Sequence, residues 1–145
     1  MLVRFKKINP NASIPTYGSS YAAGCDLSAC IDQAISIPPH TTIKVPTGLA
    51  IELSENTVGL IYARSGMATK RHLAPANKVG VIDADYRGEI IVALHNHSEE
   101  AQTIEVGERI AQLVVAPFYH VEFEEVDELS ETVRGEGGFG STGTK

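Results

Sequence analysis

Apolar and polar residues alternate along most of this chain in short runs, and nearly every run is closed by Pro, Gly or Asn. Leu2, Val3, Phe5 and Ile8 predict a first strand that ends at Asn9-Pro10-Asn11. Ser13 to Ser20 reads as loop. Ala34–Ile37 stops at Pro38-Pro39, and Thr42–Val45 stops at Pro46. Gly48–Leu53 and Val58–Tyr62 are divided by Ser54-Glu55-Asn56. Thr103–Val106 lies between turns, and Arg109–Ala116 is a strongly apolar, buried strand broken only by Gln112. No long stretch keeps a helical period. Many short strands with frequent breakers predict an all-β sandwich or barrel-like fold. The one predicted helix is short, Ala63–Lys70, with Ser65 as its N-cap.

The pattern is organised around Gly80–Ile91, GVIDADYRGEII. Val79, Val81 and Ile82 predict one strand, and Ile90, Ile91, Val92 and Leu94 a second that runs on to His97. The turn-prone stretch Asp83–Gly88 makes the pair a hairpin. With the turn centred on Tyr86, Val81 faces Ile91. The loop concentrates two carboxylates, a phenol and a guanidinium within five residues, held by apolar strands as a rigid scaffold would hold a site. Taken alone, it reads equally well as an ordinary hairpin tip.

Other positions carry the same double reading. Asp26 alternates with Cys25 and Leu27, so on a strand it faces away from both; it is a solvated aspartate or a ligand. Arg64 and Ser65 open the predicted helix, where backbone N–H groups suit phosphate, or they form a capped surface turn. Asn77 reads as a loop residue. Gln112 must be hydrogen-bonded if buried, as a core amide or beside a ligand. His95 and His97 share one face and read as surface histidines, without a third ligand nearby. Residues 122–133 contain six acids and no base, which predicts a solvated edge strand running into a linker. The tail from Arg134 has five glycines in its first ten residues. A lone Phe139 among glycines suits stacking on a base, and glycine N–H groups with Ser141 and Thr142 suit a phosphate chain. The tail reads as a lid that orders on ligand binding.

Composition narrows the classes. The length of 145 residues fits one domain, and 43% hydrophobic with 21% charged residues is ordinary for a globular protein. A net charge of −6 argues against stable nucleic-acid binding, yet one triphosphate needs only a local cationic pocket and a metal. No secretory signal or membrane-length apolar window is visible, so a cytoplasmic location is expected. Cys25 and Cys30 are too few for a disulfide framework.

Five stretches, in order, resemble the motifs of the trimeric dUTPases (deoxyuridine 5′-triphosphate nucleotidohydrolases). They are AGCDLSA at 23–29, ARSGMA at 63–68, GVIDADYRGE at 80–89, RIAQLVV at 109–115 and RGEGGFGSTG at 134–143. Ala63 stands where Pro is usual and Met67 where Leu is usual. The resemblance implies a distorted jelly-roll, β-clip-like barrel with one short helix (residues 1–133) and a flexible Gly-rich C-terminal arm (134–145). It implies a homotrimer whose active sites lie between subunits, each closed by a neighbour's arm, and Mg²⁺-dependent hydrolysis of dUTP to dUMP and pyrophosphate. The reaction keeps uracil out of DNA and supplies dUMP for thymidylate synthesis.

The site residues so implied are Asp83 as general base and Asp26 holding Mg²⁺ through water. Arg64, Ser65, Gly66, Gln112, Arg134, Gly140, Ser141 and Thr142 fall to the phosphates, and Phe139 to the base. Asn77, Gly80, Val81, Ile82 and Ile91 form the base pocket, with Tyr86 on the deoxyribose. Backbone groups of Val81–Asp83 and Ile91 can pair with the acceptor–donor–acceptor edge of uracil, whereas cytosine would leave them unpaired. A dCTP deaminase is the nearest alternative, followed by a nucleotide sensor without catalysis and a purely structural β-domain. The hairpin favours a dUTPase over the first. Asp26, Asp83, Gln112 and the complete tail disfavour the second, and the third leaves the residue pattern unexplained.

Overall fold

The computed structural model describes residues 1–138. Strands β1 (Arg4–Lys7), β2 (Thr16–Tyr17), β3 (Cys25–Ser28), β4 (Ile35–Ile37), β5 (Thr42–Pro46), β6 (Leu49–Glu52) and β7 (Thr57–Tyr62) precede helix α1 (Ser65–Arg71). They are followed by β8 (Leu73–Pro75), β9 (Gly80–Ile82), β10 (Ile91–Asn96), β11 (Gln102–Ile104) and β12 (Arg109–Pro117). All pairings are antiparallel, in sheets ordered β2-β3-β12-β7-β9 and β5-β10-β8 and in the pairs β1-β6 and β11-β4. The expected all-β, jelly-roll-like architecture with one short helix is present, and the sheets wrap the core without closing into a continuous barrel.

Strand β12 is the central strand of the five-stranded sheet. It pairs with β3 and β7, and Ile110, Ala111 and Leu113 are buried. Leu27, Ile37, Val45, Leu73, Leu94 and Ile104 are wholly buried beside them. Asn96, buried at the end of β10, donates to the carbonyls of Ile37, Pro38 and Glu100. Its carbonyl accepts from Ser98, so the polar group is satisfied inside the core as burial requires. Leu27→Ala, which empties a side chain with no exposure, is expected to destabilise the fold by about 2–5 kcal/mol, measured as a lower urea midpoint.

Three expectations need correction. The arms at 79–82 and 90–94 do not pair with each other: β9 pairs with β7, placing Val81 opposite Leu60, and β10 pairs with β5 and β8. Longer-range partners take one edge of β9 and both edges of β10, and the arms diverge. Helix α1 is not capped by Ser65. The N-cap is Arg64, in extended conformation (φ −81°, ψ 134°) and without a side-chain cap hydrogen bond, so Ser65 is already the first helical residue. The acidic segment 122–133 forms no strand, because no edge of its own chain pairs with it among the described residues. Two short strands went unread: β2 within the loop Ser13–Ser20, and β8, which ends on Pro75.

Candidate active site

Two depressions collect most of the predicted residues. The first, a cleft of about 280 Å³, opens where β9 and β10 diverge. It is lined by Asn77, Gly80, Val81, Ile82, Asp83, Tyr86 and Ile91, with Ile61 and Glu89 among its other walls. Strand β9 is the last in its sheet, so its edge away from β7 is open. Strand β10 pairs with β8 only from Leu94 onward, which leaves its start at Ile91 open on that side. Two open strand edges therefore border one cleft, each offering unspent backbone donors and acceptors. Its volume is at the small end for ligand pockets, about 300 Å³, which suits a base and sugar better than a whole nucleotide.

The loop at the mouth is locally determined. A turn bond from Tyr86 N–H to Asp83 O (3.1 Å) closes it. Arg87 folds back to donate to the carbonyls of Ala84 and Tyr86. The Tyr86 ring lies against Gly88, where an added Cβ would sit 2.3 Å from the phenol oxygen. Only glycine leaves room for that ring. The Tyr86 hydroxyl donates to Glu89 O at 3.0 Å.

The second depression is lined by Gly18, Gly24, Asp26, Arg64, Ser65, Gly66, Arg109 and Gln112. Asp26, Gln112 and Tyr62 stand in register on β3, β12 and β7, so their side chains share one face. The core residues Cys25, Leu113 and Ile61 share the other. Arg109 was not among the expected site residues. Counting back from Gln112 in steps of two puts it on the opposite face, but the register slips between Arg109 and Ala111. That β-bulge absorbs Ile110 and returns Arg109 to the side of Gln112. Asp26, its side chain 14% exposed, is thereby held between two arginines: Arg64 Nε on Oδ1 at 2.8 Å and Arg109 Nη1 on Oδ2 at 3.0 Å. Gln112 Nε2 donates to Ala63 O at 2.9 Å, and Gly24 leaves space for the Gln112 amide, whose Oε1 would lie 2.7 Å from an added Cβ.

Residues 10–143 match the family profile described as dUTPase. The chain belongs to the dUTPase family. It is by that membership an enzyme, a dUTP diphosphatase. Deoxyuridine 5′-triphosphate nucleotidohydrolases of Desulfitobacterium hafniense and Cytophaga hutchinsonii are each 53% identical to it, over 90% of this chain and 87% of the relative, and 92% and 86%, respectively. Among solved structures, a mutant dUTPase of Staphylococcus bacteriophage 80alpha with dUpNHpp superposes with a TM-score of 0.91 at 29% identity, over 99% of both chains.

The remaining polar candidates of this dUTPase-family chain lie apart from both depressions. Burial, the largest cause, pushes the Cys25 thiol up, and its Sγ donates to Leu113 O at 3.4 Å. Burial and the nearby Glu89 push Cys30 up as well. Both shifts favour the protonated thiol. His95, on β10, and His97, just beyond its end, meet with ring centroids 4.4 Å apart, and neither lines a depression named here. Arg134 is exposed and donates from Nε to Gly137 O at 2.8 Å. Phe139, Gly140, Ser141 and Thr142 lie outside the described residues. Among the described residues no helix is long and apolar enough to cross a membrane.

Proposed function

We propose that this chain hydrolyses dUTP to dUMP and pyrophosphate by attack of water on the α-phosphorus, with Asp83 orienting and deprotonating that water. The observation that carries the reading is the cleft bordered by the open edges of β9 and β10. Uracil presents acceptor, donor and acceptor in a row, and backbone carbonyls and N–H groups on such edges meet that pattern without a charged side chain. Asn77 completes the base pocket, and Tyr86 packs on the deoxyribose where a 2′-hydroxyl would otherwise sit. Arg64, Ser65, Gln112 and Arg109 bind the phosphates from the second depression, offsetting charge on the departing pyrophosphate.

The donor set fits Mg²⁺ in the manner expected of a hard, part-hydrated ion. Each Asp26 oxygen accepts one arginine N–H, which leaves each a further lone pair for a metal-bound water. Among the described residues no group of three metal-ligating side chains gathers, as suits an ion that takes direct ligands from the substrate's phosphates. When bound, Mg²⁺ would neutralise triphosphate charge.

The two depressions share no lining residue. That division supports a homotrimer in which the base cleft of one subunit meets the phosphate face of another. Beyond β12, Tyr119 and Phe123 are more than nine-tenths exposed, and apolar surface left bare in this way suits a segment that lies on a neighbour. Residues 134–145 then act as the lid that excludes bulk water, with Arg134 and the stretch from Phe139 to Thr142 over the nucleotide.

Product analysis with Mg²⁺ tests the reading, with dUTP, dCTP, dTTP and UTP offered separately. Pyrophosphate and dUMP from dUTP alone is the expected result. Ammonia from dCTP would assign the chain to deamination instead, and dUTP binding without turnover would make it a sensor. Gly66→Ala is a second test. An added Cβ there meets nothing within 4 Å, and alanine favours a helix by about 1 kcal/mol, so the melting temperature should hold or rise. Gly66 nonetheless lines the phosphate depression, and KM for dUTP is expected to rise roughly tenfold with the added methyl group.

A further inference from the structure

We propose that Glu89 is a positioning residue that sets sugar selectivity by fixing the post from which Tyr86 is held. The proposal rests on the reading of Tyr86 as the residue against the deoxyribose. Glu89 works in two directions. Its carbonyl accepts the Tyr86 hydroxyl at 3.0 Å, while its carboxylate turns away and accepts Gly48 N–H at 2.7 Å. Gly48 cannot yield. It has φ +69°, and an added Cβ would lie 2.8 Å from both Ala12 Cβ and Cys30 Sγ. Its carbonyl is in turn tied to Ile8 N–H at 2.8 Å.

The next residue is fastened to the same turn. Ile90 N–H donates to Leu49 O at 2.8 Å, and Ile90 O accepts from Thr47 N–H at 3.2 Å and from Thr47 Oγ1 at 2.6 Å. Thr47 and Ile90 are both buried. The stretch Glu89–Ile90 is therefore stationary from its carboxylate end onward, whereas the loop before it reaches solvent at Asp85, Tyr86 and Arg87. Among the described residues Tyr86 has one side-chain hydrogen bond, to Glu89 O. Loss of the Glu89 carboxylate leaves that carbonyl held on one side only, through the Ile90 N–H of the same planar peptide unit, and the Tyr86 ring loses part of its fixed height above the sugar. A displaced ring admits a 2′-hydroxyl, because sugar discrimination depends on crowding at a set position.

The test compares kcat/KM for dUTP and for UTP in wild type, Tyr86→Ala, Tyr86→Phe, Glu89→Ala and Glu89→Gln, with melting curves for each. Glu89→Ala is expected to lower the dUTP/UTP preference roughly tenfold, the effect of one lost hydrogen bond. The change should fall mainly on KM, with kcat for dUTP held within about threefold. Glu89→Gln keeps an oxygen for Gly48 N–H and should restore most of the preference. A purely structural role would shift melting without changing the preference. Wild-type preference in Glu89→Ala, beside a lost preference in Tyr86→Ala, would overturn the proposal, as would equal loss in Glu89→Gln and Glu89→Ala. Should Glu89→Ala not fold, Tyr86→Phe decides, since it cuts the same bond from the other end: a lowered preference supports the latch and an unchanged one refutes it. Unchanged preference in Tyr86→Ala would instead remove the sugar contact itself, a separate and recognisable failure.

Discussion

Asp83→Asn is expected to bind dUTP and to turn it over at least ~100-fold more slowly, the loss that follows removal of a positioned base. The substitution is close to isosteric. The backbone carbonyl of Asp83, which closes the loop by accepting Tyr86 N–H, is untouched. Among the described residues no donor is bonded to the Asp83 carboxylate, although it lines the cleft, so its removal breaks no internal contact that the fold depends on. Affinity for a non-hydrolysable dUTP analogue measured beside single-turnover rates separates binding from chemistry. Near-normal turnover would remove Asp83 from the mechanism.

Arg64→Lys is expected to cost roughly 100-fold in kcat, although the charge is kept, as for other lost donors to developing negative charge. Arg64 uses two corners of its fork within the protein, Nε on Asp26 and Nη1 on Arg109 O at 3.3 Å. A lysine ammonium is a point charge that cannot hold Asp26 and face the phosphates together. Asp26 would keep Arg109 as its partner, so stability should fall less than activity. A double-mutant cycle with Asp26→Asn checks the coupling: the two substitutions should be non-additive in kcat/KM. Full activity in Arg64→Lys would show that charge alone suffices and that the fork has no role.

Much of the site could be read before any fold was known. The ordered motifs named Asp26, Arg64, Gln112 and the stretch from Gly80 to Tyr86, and all of these but Ala84 and Asp85 line one of the two depressions. Alternation around Asp26 placed it opposite Cys25 and Leu27, and burial along β3 agrees. The helix was found to within two residues at its start and one at its end, while its cap was misassigned. Serine is a good cap by type, but the conformation of Arg64, set by the strand it leaves, decided where the helix begins.

Local pattern by itself determined most of the strands, the one helix, the polar face of β3 and the chemistry of the loop from Asp83 to Gly88, because alternation and turn propensity act over a few residues. Partner choice was decided only in the tertiary structure. Strands β9 and β10 are neighbours in sequence, yet each pairs with strands from elsewhere in the chain, and the cleft is the space left between them. Arg109 shows the same limit at the scale of one residue. A period of two assigns faces only while the register holds, and the slip before Ala111 exists because β12 must match Ser28 and Leu27 on β3 at once. Pairing between distant strands sets that slip, and it moves a guanidinium from the wrong face of the sheet onto the carboxylate of Asp26.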